Sequence, residues 1–125
     1  MNKKINLGSI PSGSEAFTIA EDFININKSI LYIARDDREI FNIKEKLKWL
    51  LPNTEILIYR SWDQIPYDNV SPSKEIQSER IRTLIQLSTK NKKIILTSIN
   101  AIIQKTINKT YLDKNLITIS VNQKI

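Results

Sequence analysis

Residues 30–52 read ILYIARDDREIFNIKEKLKWLLP. Ile30, Leu31, Tyr32, Ile33 and Ala34 form an apolar run too continuous for a half-exposed strand, and it fits a strand buried on both faces of a parallel sheet. A polar turn follows, in which Asp36 or Asp37 can cap a helix and Glu39, three residues after Asp36, has the spacing of a capping box. Ile40, Ile43, Leu47, Leu50 and Leu51 then recur at three- and four-residue steps until Pro52, whose ring and missing N–H end the helix. After one more turn the chain is apolar again at Ile56, Leu57, Ile58 and Tyr59. Strand, helix and strand in immediate succession are a βαβ unit.

The same alternation extends in both directions. Residues 94–97 and 116–121 are further apolar runs of strand length. Ala16, Phe17, Ile19, Ala20, Phe23 and Ile24 put one apolar stripe on a helix over 14–25, and Ile76, Ile81, Leu84 and Leu87 do so over 74–88, with Ser73 as its cap. Ile99, Ile102 and Ile103 suit a fourth, shorter helix. The expectation is an α/β fold: a parallel sheet of about four to five strands flanked by helices, with right-handed crossovers imposed by strand twist. A chain of 125 residues has room for one such domain, spanning 1–125. Residues 116–125 read as a last strand and a polar tail leading towards a next domain, as in a piece of a longer protein.

Composition removes most chemistry. With no Cys and no His, thiol nucleophiles, disulfides and imidazole acid–base catalysis are excluded, and no zinc or other metal site is expected. The formal net charge is +6, from 19 basic and 13 acidic side chains. The basic residues are mostly Lys, in a chain also crowded with Ile and Asn, a balance that A/T-rich codons produce without selection for an anionic partner. The excess is also local: residues 1–79 carry net −2 and residues 80–125 net +8. A nucleic-acid footprint would therefore use Arg80, Arg82, Lys90, Lys92 and Lys93, with Lys105 and Lys109, on phosphates. No aromatic residues interleave with these charges, which favours solvated helix faces and loop ends instead. No run of 18 apolar residues is present and residues 1–6 lack the apolar core of a signal peptide, so no membrane partner and a cytoplasmic location are expected.

The chain holds two glycines, Gly8 and Gly13, in Gly8-Ser9-Ile10-Pro11-Ser12-Gly13-Ser14-Glu15. This is the glycine spacing of the phosphate-binding loop G-x-x-x-x-G-K-[ST], lying after a short apolar segment at 5–7 and before an amphipathic helix. The Lys position is Ser14 and the hydroxyl position is Glu15. Losing the Lys removes the main positive charge, and a carboxylate beside the site repels phosphate, so ATP binding is not expected and the loop reads as degenerate. A plain turn into a helix, with Ser14 as cap and Glu15 as first-turn acid, accounts for the same residues.

The one long irregular stretch, residues 60–73, follows a strand and should lie at the carboxyl edge of the sheet, where open α/β folds place ligands. Pro66 and Pro72 stiffen it, Asp68 and Ser71 can close turns, and Trp62 and Tyr67 offer large amphipathic surfaces, either plugging the loop onto the sheet or exposed for contact. Arg80 on the following helix can pair with Asp63 or Asp68 and pin the loop.

Trp62-Asp63-Gln64-Ile65-Pro66-Tyr67-Asp68-Asn69-Val70-Ser71-Pro72, then Glu75 and Ser78-Glu79-Arg80, resembles the W-E-x-L-P-Y-D-x-x-S-P, acidic, S-x-R pattern of the N-terminal module of bacterial transcription-repair coupling factors. The likeness runs on through residues 82–87 and upstream to Leu7-Gly8 and the 16–21 helix, with Gln64 and Ser73-Lys74 as departures. It implies a RecA-like subdomain related to the first domain of the excinuclease B subunit, with a decayed nucleotide site. No cofactor is implied for this chain, whereas ATP and magnesium would act elsewhere in the parent. That parent would be an ATP-driven DNA translocase that displaces stalled RNA polymerase and recruits the excinuclease A subunit, so its partners would be those two proteins and double-stranded DNA. In this chain the implied role is a catalytically inactive scaffold or interaction domain touching the rest of the parent. The excinuclease B relative carries a Tyr-rich hairpin in this region; about ten residues between Tyr67 and Ser78 leave no room for one. Two other readings stand beside the scaffold: a weak nucleotide-binding domain, and a basic nucleic-acid module.

Overall fold

The apolar runs at 30–34, 56–59 and 94–97, and the helices that the spacing puts before, between and after them, form where they were expected. The computed structural model describes residues 4–9, 11, 13–63 and 73–117. In chain order these form α1 (Glu15–Asn25), β1 (Ile30–Ala34), α2 (Asp37–Leu50), β2 (Ile56–Tyr59), α3 (Lys74–Leu87), β3 (Ile94–Ser98), α4 (Ile99–Ile103) and α5 (Lys109–Asn115). Asp36, not Asp37, caps α2: its Oδ1 accepts from Glu39 N–H at 2.9 Å. Glu39 closes the return half of the box one residue early, accepting from Arg35 N–H at 3.1 Å and from the Tyr32 hydroxyl at 2.6 Å. Ser73 caps α3 through Ile76 N–H.

The three strands are parallel in the order β1-β3-β2, with Ile30 and Ile56 both opposite Ile94. β3 is buried along its whole length, as a central parallel strand must be. Side chains alternate across the sheet. Ile30, Tyr32, Ala34, Ile94, Leu96, Ile56 and Ile58 meet Ala16, Ile19, Ala20 and Phe23 of α1 and Ile40, Ile43 and Leu47 of α2 in the main core. Each such Ile or Leu contributes about 1.5–3 kcal/mol by leaving water. Tyr59 points to the other face, where Arg80 of α3 lies on its ring. Helices thus lie on both faces, α1 and α2 on one and α3 against β2 on the other, the arrangement that right-handed crossovers require when the chain first steps two strands across and then one back.

The α/β class and the parallel sheet match the expectation and fit a RecA-like subdomain; the strand count is lower. Three strands form among the described residues. Residues 5–7 carry no strand and Ile5 and Leu7 are exposed. Of the run at 116–121, Leu116 and Ile117 carry no strand and the rest lies outside the described residues. The short helix α5 was not anticipated, because its stretch KTYLDKN buries no residue and so has no apolar period to read. The stripe expected on α3 is rotated: Ile76, Arg80 and Thr83 face the sheet, Ile81 and Leu84 are half-buried, and Leu87 is exposed. Two polar side chains hold that rotation, since Thr83 Oγ1 donates to Ile58 O at 2.6 Å and Arg80 finds its partners at the strand end. No helix among the described residues is long and apolar enough to cross a membrane.

Candidate functional site

Two places can carry function in this fold: the Gly8–Glu15 loop ahead of α1, and the carboxyl edge of the sheet.

Gly13 has φ +94°, a left-handed conformation that disfavours side chains, and a Cβ there would stand 2.6 Å from Lys46 Nζ. Gly8 has no such need, because a Cβ on it meets nothing within 4 Å. Among the described residues of the loop, Gly13 and Ser14 bond to neighbours in the chain and to α2. Gly13 N–H donates to Glu15 Oε2 at 2.8 Å, Ser14 Oγ donates to Pro11 O at 2.7 Å, and Lys46 Nζ, reaching across from α2, donates to Gly13 O at 2.8 Å. In a working phosphate loop such an N–H would point at an oxyanion; here the chain supplies that oxyanion as the Glu15 carboxylate. The adjoining cleft of ≈ 500 Å³ is lined by Arg35, Arg38 and Lys46 against Glu15, Asp36 and Glu39. Its three basic side chains are matched by three acidic ones. The Asp36 carboxyl titrates below its ordinary range because the Glu39 N–H donates to its charged form, with Arg35 and Arg38 adding to the effect against a smaller desolvation.

At the carboxyl edge, Asp37 ties the ends of all three strands together. Following β1, it accepts from Ser61 N–H and Oγ after β2, at 3.2 and 2.8 Å, and from Ser98 Oγ at the end of β3, at 2.6 Å. Ser98 in turn caps α4. Beside this node, Arg80 is 2% exposed. Its guanidinium lies 4.1 Å from the Tyr59 ring centroid and 4.2 Å from that of Trp62. It donates to Arg60 O at 2.7 Å, to the Tyr59 hydroxyl at 2.6 Å and to Gln104 Oε1 at 3.3 Å. Gln104 also accepts from Trp62 N–H at 2.8 Å, so one arginine and one glutamine join β2, α3 and the chain after α4. Burial lowers the Arg80 pKa, opposed by the charges of Tyr59 and Asp37.

The pairing expected of Arg80 does not form with Asp63. Asp63 Oδ1 instead accepts from Ser73 N–H at 3.2 Å, which brings the two ends of the central loop together, and Arg80 takes neutral acceptors and ring faces. Pro66, Tyr67, Asp68, Ser71 and Pro72 lie outside the described residues. Trp62 is half-buried on Arg80, packing the start of the loop onto the strand end.

The basic residues named from the sequence divide. Lys93 is 2% exposed; its ammonium donates to Gln86 O at 2.6 Å and to Thr89 O and Oγ1, closing the last turn of α3, and stands 3.7 Å from Glu55 Oε2. Lys92 donates to Phe23 O and lies 4.1 Å over the Phe23 ring. Arg82, Lys90, Lys105 and Lys109 are exposed. Ser61, Ser98 and Gln104 were not singled out from sequence, and Asp37 was named only as one of two candidate helix caps. No group of three carboxylates that could hold a metal forms among the described residues.

No family model and no solved structure matches this chain. Among curated proteins it is 26% identical over 117 residues to the transcription-repair-coupling factor of Rickettsia bellii, covering 92% of this chain and 10% of that protein. The same named protein from Haemophilus influenzae is 26% identical over 119 residues, and that from Escherichia coli 22%, each covering 95% of this chain and 10% of the relative. The chain thus spans about a tenth of the length of the relatives it matches, and over nearly all of its own length it resembles one segment of the transcription-repair coupling factors.

Proposed function

We propose that residues 1–125 are one domain, the catalytically silent N-terminal subdomain of a cytoplasmic transcription-repair coupling factor, and that it serves as a scaffold or interaction domain. The parent would be the ATP-driven DNA translocase that removes stalled RNA polymerase and recruits the excinuclease A subunit, its nucleotide chemistry lying outside this chain. Similarity over 83–95% of the chain to proteins of that one name supports the parent. One observation carries the silence: the Gly13 N–H is held by the Glu15 carboxylate, in a loop without the motif's Lys and beside a charge-balanced cleft. An anion entering there would have to displace a covalently tethered competitor and face its charge. Nucleotide binding at the loop is tested by calorimetric titration with ATP and magnesium. No heat of binding is expected up to millimolar nucleotide, and a micromolar Kd would overturn the reading. The basic nucleic-acid reading is weakened by Lys92, Lys93 and Arg80, whose charges serve backbone carbonyls and aromatic rings inside the fold.

A further inference from the structure

An apolar groove runs along the outside of α3. A hollow of ≈ 350 Å³ lies between Ile81 and Leu84 of α3 and Ile107, with Tyr59 and Trp62 at its end. A second, of ≈ 250 Å³, continues past Leu84 and Ile107 to Leu87 and to Leu112 of α5. The two share Leu84 and Ile107 and so form one groove. From Gln77 to Ser88 it follows α3 for about 16 Å. Its walls do not close on each other: α5 buries none of its residues, and Leu87 is 43% exposed. A helix of seven residues is too short to be stable in water by itself, so α5 gains from apolar surface laid against Leu112.

Charge decides what fits. Lys105 and Lys109 are exposed where they line the groove, and neither makes an ion pair among the described residues. On its floor the Arg80 guanidinium has only neutral acceptors. None of the described residues lining the groove is acidic, whereas the cleft beside Glu15 sets an acid against each base. Residues 80–117 carry eight basic side chains against the single acid Asp113. A second copy of this chain, itself at +6, would bring like charge to this surface.

We propose that the groove between α3 and residues 105–112 docks an acidic amphipathic helix of a partner protein, its apolar stripe on Leu84, Leu87 and Ile107 and its carboxylates on Lys105 and Lys109. Apolar grooves take such helices through anchors at i, i+3, i+4 and i+7, and the two ammoniums opposite carboxylates fix the register. This deepens the interaction-domain reading above and rests on it.

Fluorescence anisotropy on the intact polypeptide tests the groove, with a labelled designed peptide that carries Leu at i, i+3, i+4 and i+7 and Glu between them. Saturable binding that weakens as salt is raised is expected. Leu87→Asp, at an exposed position, and the pair Lys105→Glu with Lys109→Glu should each weaken it at least about 10-fold. Lys28→Glu, at an exposed lysine before β1, should leave it unchanged. A peptide of the same composition with its Leu spacing scrambled should bind at least about 10-fold more weakly. Equal binding of the two peptides, both displaced by double-stranded DNA, would overturn the proposal in favour of a plain polyanion surface. So would binding that Leu87→Asp and the lysine pair leave unchanged, and so would the absence of binding to the intact polypeptide. DNA-stimulated ATP hydrolysis by the same intact protein reports the coupling-factor reading separately. Hydrolysis without peptide binding sinks the groove alone; binding without hydrolysis keeps the groove and sinks the parent assigned to it.

Discussion

The backbone N–H of Gly13 donates to the carboxylate of Glu15 two residues later, at 2.8 Å, and Lys46 holds the Gly13 carbonyl from the opposite side. Gly13 is therefore held on both sides, by Glu15 and by Lys46 of α2, and the two glycines of the motif have different standing. Gly13 sits at φ +94° with Lys46 Nζ where a Cβ would go, while Gly8 faces open space. Gly13→Ala should cost about 1–2 kcal/mol from the left-handed backbone alone. Gly8→Ala should be neutral, or stabilising by less than about 1 kcal/mol through the unfolded chain. Urea unfolding of the two variants checks this, and equal effects would mean that the spacing, and not the local geometry, sets the glycine requirement.

Arg80 links β2, α3 and the chain after α4 at the carboxyl edge, and its worth lies in shape as much as charge. Arg80→Ala would leave Gln104 Oε1 and the Arg60 carbonyl short of a charged donor and open space between the Tyr59 and Trp62 rings. A loss of about 3 kcal/mol is expected, since hydrogen bonds to a charged group are worth roughly 1.5–3 kcal/mol each and part of that is recovered by water. Arg80→Lys keeps the charge but not the flat fork that fits between two rings, so it should recover less than half of the loss. Trp62 fluorescence should shift in both variants. A substitution to Lys as stable as the wild type would show that charge alone is enough.

The elements were legible because their signals are local. The β1–α2–β2 unit carries its own strand runs, cap and proline stop, and it forms as read. What was not legible depends on partners distant in sequence. The face that α3 buries is set by Arg80 and Thr83 meeting the end of β2, 20 and 25 residues earlier, so a stripe counted from apolar residues alone was turned. Asp37 looked like one of two candidate caps, and its role as the tie between three strand ends appears only once Ser61 and Ser98 are brought to it, 24 and 61 residues away. Lys93 read as surface charge because nothing in its own neighbourhood announces that β3 is central and buries it.

The Tyr32–Glu39 hydrogen bond predicts the alkaline end of the stability profile. Burial first, then the 2.6 Å bond to Glu39 and the carboxylate charges of Glu39 and Glu15, raise the Tyr32 pKa well above the ordinary phenol value. The folded pKa is thus above the unfolded one. The neutral phenol's contribution is complete below the unfolded value of about 10 and is lost as pH rises from there towards the folded value, because only the unfolded chain gains by ionising. Asp36 works the other way. Its pKa is lowered in the fold, so its contribution is complete above the unfolded value of about 4 and is lost as pH falls through the folded one. Tm followed against pH should therefore fall at both ends. Tyr32→Phe should flatten the decline above about pH 10 and leave the acid limb in place, whereas Asp36→Asn, which keeps a capping oxygen, should flatten part of the acid limb only. An alkaline limb unchanged in Tyr32→Phe would mean that another group sets it and that the Tyr32–Glu39 bond does not hold the phenol neutral in solution.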